Sequence, residues 1–219
     1  MTKSRFHLAA VLLAAAACSY DAHIPSRPAT DIYSSYAAPI PGKFALFVDG
    51  DEMRRTINPS GSRCSAHDYP VDGRSAFRTA VLGTIERVVE SVEVVDSPLT
   101  RDELAAHGIA GMIRVEAEEM DAYLVVVGGS WWSDFEVELW IEASLVVEGR
   151  EGRVFGTTVR VDQDGTAPGG GACGGGAEAI SQAASRAMEE LLEKLAERLS
   201  NSTEVRELNA GASDDGART

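Results

Sequence analysis

The sequence predicts a two-layer α+β fold: a small mixed sheet of about five strands, an antiparallel meander in its second half, covered by helices and closed by a long C-terminal helix. Three observations carry that expectation. In "DFEVELWIEASLVVE" the odd positions Phe135, Val137, Leu139, Ile141, Leu145 and Val147 are apolar, while Glu136, Glu138, Glu142 and Glu148 hold even ones. This is the period of two of a strand with one dry and one wet face. Over residues 177–199, Ile180, Ala184, Met188, Leu191, Leu195 and Leu199 recur at helical spacing, opposed by Glu189, Glu190, Glu193, Lys194 and Glu197. That stripe belongs to a helix lying on a core. Finally, the segments succeed one another as strand, helix, strand, helix, three strands and a helix.

Each element has its own signal. Residues 43–49, "KFALFVD", form a short apolar run ended by Gly50 and Asp51, a first strand. Residues 52–73 carry Asn58, Pro59, Gly61 and Pro70 and read as a loop. Over residues 74–91, Phe77, Val81, Ile85 and Val88 form one apolar helical face, and residues 92–97, "VEVVDS", follow as a second strand. Thr100 with Glu103 is a capping box, since each side chain satisfies a free amide donor of the other; Gly108 stops that helix. Residues 112–118 (Ile113, Val115 and Ala117 inward) and 154–162 (Phe155, Val159 and Val161 inward) alternate like residues 134–148. Residues 149–152 make a turn, so these three strands form a meander.

The first residues say where the chain is sent. Lys3 and Arg5 make a basic start, and residues 8–17 form an apolar run too short to span a bilayer, which takes roughly 20 residues. Ala15, Ala16 and Ala17 then place small side chains ahead of Cys18. Residues 1–17 read as a signal peptide, and Cys18 as the lipidated first residue of the mature chain, which would carry palmitate-type acyl chains. An ordinary signal peptide cleaved near Cys18 is the alternative. Each buried methylene contributes roughly 0.8 kcal/mol, so several chains hold permanently where one holds only marginally. Residues 18–42, with Pro25, Pro28, Pro39 and Pro41 and no sustained periodicity, read as the lipidated cysteine and a flexible tether. Residues 43–200 are then a single α+β domain and residues 201–219 a disordered tail.

Composition narrows the partners. The chain carries 20 basic and 34 acidic residues, a net charge of −14. Loss of Lys3 and Arg5 leaves 18 against 34, near −16. Such a surface repels phosphate backbones and no basic stripe offsets it, so no nucleic-acid partner is expected. With Cys18 acylated, Cys64 and Cys173 remain as an even pair in an oxidising compartment and read as a disulfide. The rival is a metal site, because Cys64-Ser65-Ala66-His67 has ligand-like spacing that Cys173 would complete. Three candidate ligands fall short of a four-ligand signature, and no metal or cofactor is expected.

The amino-terminal pattern resembles a bacterial lipobox, with Ala15 where that pattern prefers leucine. Together with the tether and the succession of elements, the chain resembles the small envelope lipoproteins typified by YajG and the penicillin-binding-protein activator LpoB, related in fold to the TolB amino-terminal domain. The resemblance spans roughly residues 43–200 and rests on element order; by position it carries over only Cys18. It implies an outer-membrane address on the periplasmic face, because Ser19 follows the cysteine rather than the aspartate associated with inner-membrane retention.

Reactive constellations are missing from the sequence. "GGGACG", residues 169–174, matches GxGxxG, but no strand with an acid follows and no Gly-Lys-Ser/Thr closes a phosphate loop. The run reads instead as a flexible crossing that lets Cys173 reach a partner. There is no GxSxG or HExxH, and His23 and His107 lie in the tether and at a helix end. No enzyme activity is expected. The most hydrophobic stretch after the signal, "YLVVVGGSWW", residues 123–132, ends in Trp131 and Trp132. At a hairpin tip they would anchor a partner protein; within a strand they would be core. The function expected is a non-catalytic adaptor or scaffold for envelope proteins, held to the membrane by its lipid. The alternative is a carrier or binding module for a small apolar or lipidic ligand between helices and sheet.

Overall fold

Alternating polarity produces the strands, and their register places every other element. The computed structural model describes residues 19–61, 63–129, 133–169 and 173–208. In chain order these form β1 (Ile40–Asp49), β2 (Arg54–Ile57), β3 (Pro59–Ser60), β4 (Tyr69–Asp72), α1 (Arg74–Val88), β5 (Val89–Val94), α2 (Arg101–Ala106), β6 (Gly111–Gly128), β7 (Ser133–Gly149), β8 (Gly152–Pro168), α3 (Gly175–Ser200) and α4 (Thr203–Glu207). The main sheet runs β5-β1-β6-β7-β8, with β3 also paired to β6. β1 is parallel to β5 and β6, whereas β6, β7 and β8 are antiparallel. The α+β architecture, the meander and the long last helix are those expected.

The inner face of the sheet is sealed by α1 and α3. Phe135, Leu139, Ile141, Leu145 and Val147 of β7 are fully buried, as are Ile180, Ala184, Leu191 and Leu199 of α3. α3 runs antiparallel to β8 and also covers part of its free edge. Arg186 donates to the Asp164 carbonyl, and Arg198 donates to the Thr158 carbonyl (2.9 Å). The spacing agrees: twelve helical residues rise about 18 Å, and six strand residues about 20 Å. An edge strand whose carbonyls are occupied this way is a poor template for stray pairing.

Six local expectations change. α1 ends at Val88 and β5 starts at once at Val89, because the β-branched positions Val89, Val92 and Val94 join a parallel ladder with β1 that begins at Ile40↔Val89. Residues 52–73 hold the small β2–β4 ribbon and β3 rather than loop alone. β6 extends to Gly128 through a bulge between Ala117 and Glu119. The bulge shifts the inward parity from Ile113, Val115 and Ala117 to Met120 and Leu124. α2, capped by Thr100 and Glu103 as expected, lies on the opposite face from α1 and α3. Its Leu104 packs with Ala45, Ile109 and Met112 in a separate small core. The expected tail begins with α4, where the Ser202 hydroxyl accepts from the Val205 amide (3.3 Å) and Val205 is fully buried.

The sixth change concerns the tether. Residues 19–39 are laid along the domain instead of leading away from it. Ser19 and Ala22 bridge to Asp68 and Val71, and the Tyr20 and Ala22 amides donate to the Asp68 and Pro70 carbonyls (3.2 and 3.1 Å). Ala22, Ile24 and Ala29 are buried in the main core. The far end is held as well: Arg206 of α4 lies 3.9 Å over the Tyr36 ring and donates to the Ala38 carbonyl. Proline and serine composition suits a free chain, but here the chain's small side chains fit over α1 and its backbone donors find β4.

Candidate functional site

Several chain ends converge at one pole of the sheet. β6 stops at Gly128, β7 starts at Ser133, β8 stops at Pro168 and α3 starts at Gly175. The Cys64–Cys173 disulfide ties the loop after β3 to the start of α3 across 109 residues. Both cysteines have left-handed backbones, φ 54° and 61°, a conformation that disfavours each by about 1–2 kcal/mol. The crossing is therefore held by the bond and its surroundings rather than by local preference. The Tyr69 hydroxyl donates to the Cys173 carbonyl (2.6 Å). The Tyr69 ring meets Phe135 edge-on (5.9 Å) and Tyr20 nearly stacked (6.1 Å). Arg63 donates to the Gly128 and Gly129 carbonyls (3.0 and 2.7 Å), and the Gly169 amide donates to the Ser133 carbonyl (2.6 Å). The glycines that open α3 serve close approach more than flexibility. A Cβ at Gly175 would run into the Pro168 carbonyl, and one at Gly176 would come within 2.5 Å of the Tyr69 ring.

Tyr69 reports on this pole. Burial disfavours its phenolate first, with the neighbouring Tyr20 adding to the effect, and together they push it up to about 12 from 10.0. Because the folded value lies above the unfolded one, its contribution to stability is fully present below pH 10 and disappears as pH climbs from 10 towards 12. The difference is worth at most about 3 kcal/mol. Tyr69→Phe is expected to cost about 1–2 kcal/mol at pH 7 by orphaning the Cys173 carbonyl, and to flatten the loss of stability between pH 10 and 11.5. Urea midpoints of both proteins across that range check this; parallel slopes would show that Tyr69 does not titrate there.

The second surface is the outer face of β6–β8. Asp121, Glu136, Glu138, Glu142, Asp162 and Asp164 project from it, with Arg114, Arg153 and Arg160 as its strand-borne cations. Arg160 lies 5.1 Å over the Trp140 ring and 3.5 Å from Glu119. Arg55 reaches across from β2 to Asp121 (2.8 Å), and that hydrogen bond holds the Asp121 carboxyl below the usual carboxylate range. Near the pole, Tyr123, which is 56 % exposed, lines a shallow cavity of about 410 Å³ with Val125, Glu136, Glu138, Asp164 and Thr166.

The expected site residues fall differently. Cys64 and Cys173 are bonded to each other, so neither sulfur is a thiolate for a metal, and among the described residues no three His, Cys, Asp or Glu side chains gather to hold one. Cys18, Trp131 and Trp132 lie outside the described residues. The tryptophans occupy the short connection between Gly128 and Ser133, which pair with each other. Between helices and sheet the void beside Thr84, Val115 and Leu192 measures about 10 Å³, less than an acyl chain needs. Sequence reasoning missed that Ser19 sits at the pole, since two isolated bridges leave no periodicity to find.

No family model and no curated protein matches the chain. Solved structures to which the chain is similar include a protein from Xanthomonas campestris assigned to DUF330, 12 % identical over 92 % of this chain and 100 % of that one, with a TM-score of 0.44. A minor lipoprotein from Acinetobacter baumannii is 10 % identical over 73 % and 92 %, TM-score 0.38. A homologue of the neuraminyllactose-binding hemagglutinin from Helicobacter pylori is 11 % identical over 86 % and 99 %, TM-score 0.45. No helix among the described residues is long and apolar enough to cross a membrane.

Proposed function

We propose that the chain is an envelope lipoprotein, acylated at Cys18 and facing the periplasm from the outer membrane, that acts as a non-catalytic adaptor for other envelope proteins. The observation that carries this reading is the amino-terminal pattern: Lys3 and Arg5, ten apolar or small residues from 8 to 17, and Cys18 directly after three alanines. YajG and LpoB remain the kind of protein it resembles. The acidic outer face with its Tyr123 cavity is the surface this reading assigns to a basic partner, since opposite charge steers encounter and fixes register. The carrier alternative has less support, because α1 and α3 would have to part from a filled core before a lipid could enter.

Metabolic labelling with palmitate tests the anchor. Wild-type protein is expected to take up label and stay with the membrane fraction, whereas Cys18→Ser is expected to take up none and to be released. Equal labelling of both would overturn acylation at this residue. Crosslinking from a photoreactive group at position 123, in the envelope, tests the adaptor role; recovery of no protein partner there would overturn it.

A further inference from the structure

A cavity separate from that of Tyr123 opens at the far end of α3, about 38 Å along the helix from the pole, where residues 30–39 cross from α3 to the start of β1. It measures about 260 Å³, and its lining includes Arg87 at the end of α1, Arg206 of α4, Ser34, Tyr36, Ile32 and Val88. We propose that this cavity binds a small molecule bearing one carboxylate on a partly apolar body. The site does not depend on acylation of Cys18.

The first argument is charge. Arg206 is fixed without being neutralised: its Nε donates to the Ser200 carbonyl (2.9 Å), its Nη1 donates to the Ala38 carbonyl (3.1 Å), and its guanidinium lies 3.9 Å over the Tyr36 ring. Nη2 is left to donate. Arg87 makes no hydrogen bond or ion pair among the described residues, and one turn back α1 offers it only Gly83 and Thr84. The carboxylates of this end are turned elsewhere. Glu197 accepts the Tyr33 amide (3.3 Å), Glu204 the Ser202 hydroxyl (2.8 Å) and Glu90 the Gly42 amide (2.7 Å), while Asp31 acts on Glu193 of α3. Glu86 and Glu207 adjoin the arginines in sequence, and adjacent helical residues do not face each other. The C-termini of α1 and α3 each bring about half a negative charge, which leaves roughly one positive charge from the two guanidiniums. A monoanion balances that; a dianion does not.

The second argument is chemistry. A carboxylate accepts forked donors from guanidinium groups. Ser34 adds a hydroxyl whose oxygen already accepts the Tyr36 amide (3.2 Å), which leaves its proton to donate. Beside these donors Ile32, Pro39 and Val88 give an apolar wall, so an organic body is favoured over a bare ion, by about fourfold for each methylene it buries. The volume lies just under the roughly 300–1,000 Å³ of drug-sized sites, which suits a small body. A chain with 34 acidic and 20 basic residues repels anions in general, so saturable uptake of one marks a built site rather than loose attraction.

Isothermal titration calorimetry of the full mature chain, with its detergent or lipid discs alone as the blank, tests the site. Hexanoate is expected to bind saturably at one site. Acetate, which lacks the body, is expected to bind more weakly by about tenfold or more. Hexanamide, which keeps the body and lacks the charge, is expected not to bind. Arg87→Gln is expected to weaken hexanoate binding by about tenfold or more, as for a lost hydrogen bond to a charged group, with a nearly unchanged melting temperature because no hydrogen bond or ion pair of the fold is lost. Arg101→Gln, which removes the same charge on α2, is expected to bind hexanoate as the wild type does. Absence of saturable hexanoate uptake at about 10 mM, where even a millimolar site fills, overturns the proposal. So does wild-type affinity in Arg87→Gln, an equal loss in both arginine variants, hexanamide binding as tightly as hexanoate, or tighter binding of inorganic phosphate.

Discussion

Replacing Cys64 and Cys173 together by serine is expected to lower the unfolding free energy by about 2–5 kcal/mol. The bond closes 109 residues of chain, and the denatured ensemble it constrains is correspondingly large; a loop of about 100 residues corresponds to about 4.7 kcal/mol in the chain-entropy account. Serine brings no relief at either position, since φ 54° and 61° disfavour it as they disfavour cysteine. For a domain of this size the midpoint falls by about 2–4 °C per kcal/mol, so a drop of roughly 5–20 °C is expected. Reductant should shift wild-type protein to the same midpoint and leave the double variant unmoved. A wild-type midpoint indifferent to reductant would show that the bond does not form. The damage should begin locally: with the clasp gone, amide exchange is expected to rise first at Gly169 and Cys173, where the Gly169–Ser133 and Tyr69–Cys173 hydrogen bonds depend on the crossing.

Much of this pole and of the sheet behind it follows from rules that act within one element. The β7 alternation, the α3 stripe and the Thr100–Glu103 cap each depend on residues a few positions apart, and each appears where the pattern places it. Pairing Cys64 with Cys173 needed only a count and a compartment. What stayed hidden depends on two distant segments at once. The bulge at Ala117 turns a second apolar segment into the continuation of the same strand, although its parity argues for a separate one. α2 goes to the outer face because Ala45 and Met112, one residue out of phase with the inner core, leave an apolar patch that Leu104 can cover. Residues 19–39 carry three prolines, Pro25, Pro28 and Pro39, and no alternation, so composition assigns them to solvent. Their attachment is made by backbone donors and a few small side chains, which leave no periodic trace.

That attachment is open to the sharpest test. Ile24 is 3 % exposed with its Cδ1 set against Gly73, and Pro28 sits over Gly83 of α1. Ala29 is fully buried, and its amide donates to the Thr84 hydroxyl (2.9 Å), which itself donates to the Ala80 carbonyl (2.7 Å). Ile24→Ala is therefore expected to cost about 2–4 kcal/mol, as for other buried isoleucines, where a free tether would respond by less than about 0.5 kcal/mol. Ala29→Asp should go further, because a carboxylate beside the Thr84 hydroxyl and among apolar side chains cannot stay there charged without a partner. The segment is expected to peel from α1 while the sheet remains folded. Proteinase K should then cut between residues 19 and 39 in the variant under conditions that spare the wild type, and far-ultraviolet circular dichroism should be nearly unchanged. Equal cleavage of both proteins would return the segment to solvent. Released from α1, the same residues become the tether their composition describes.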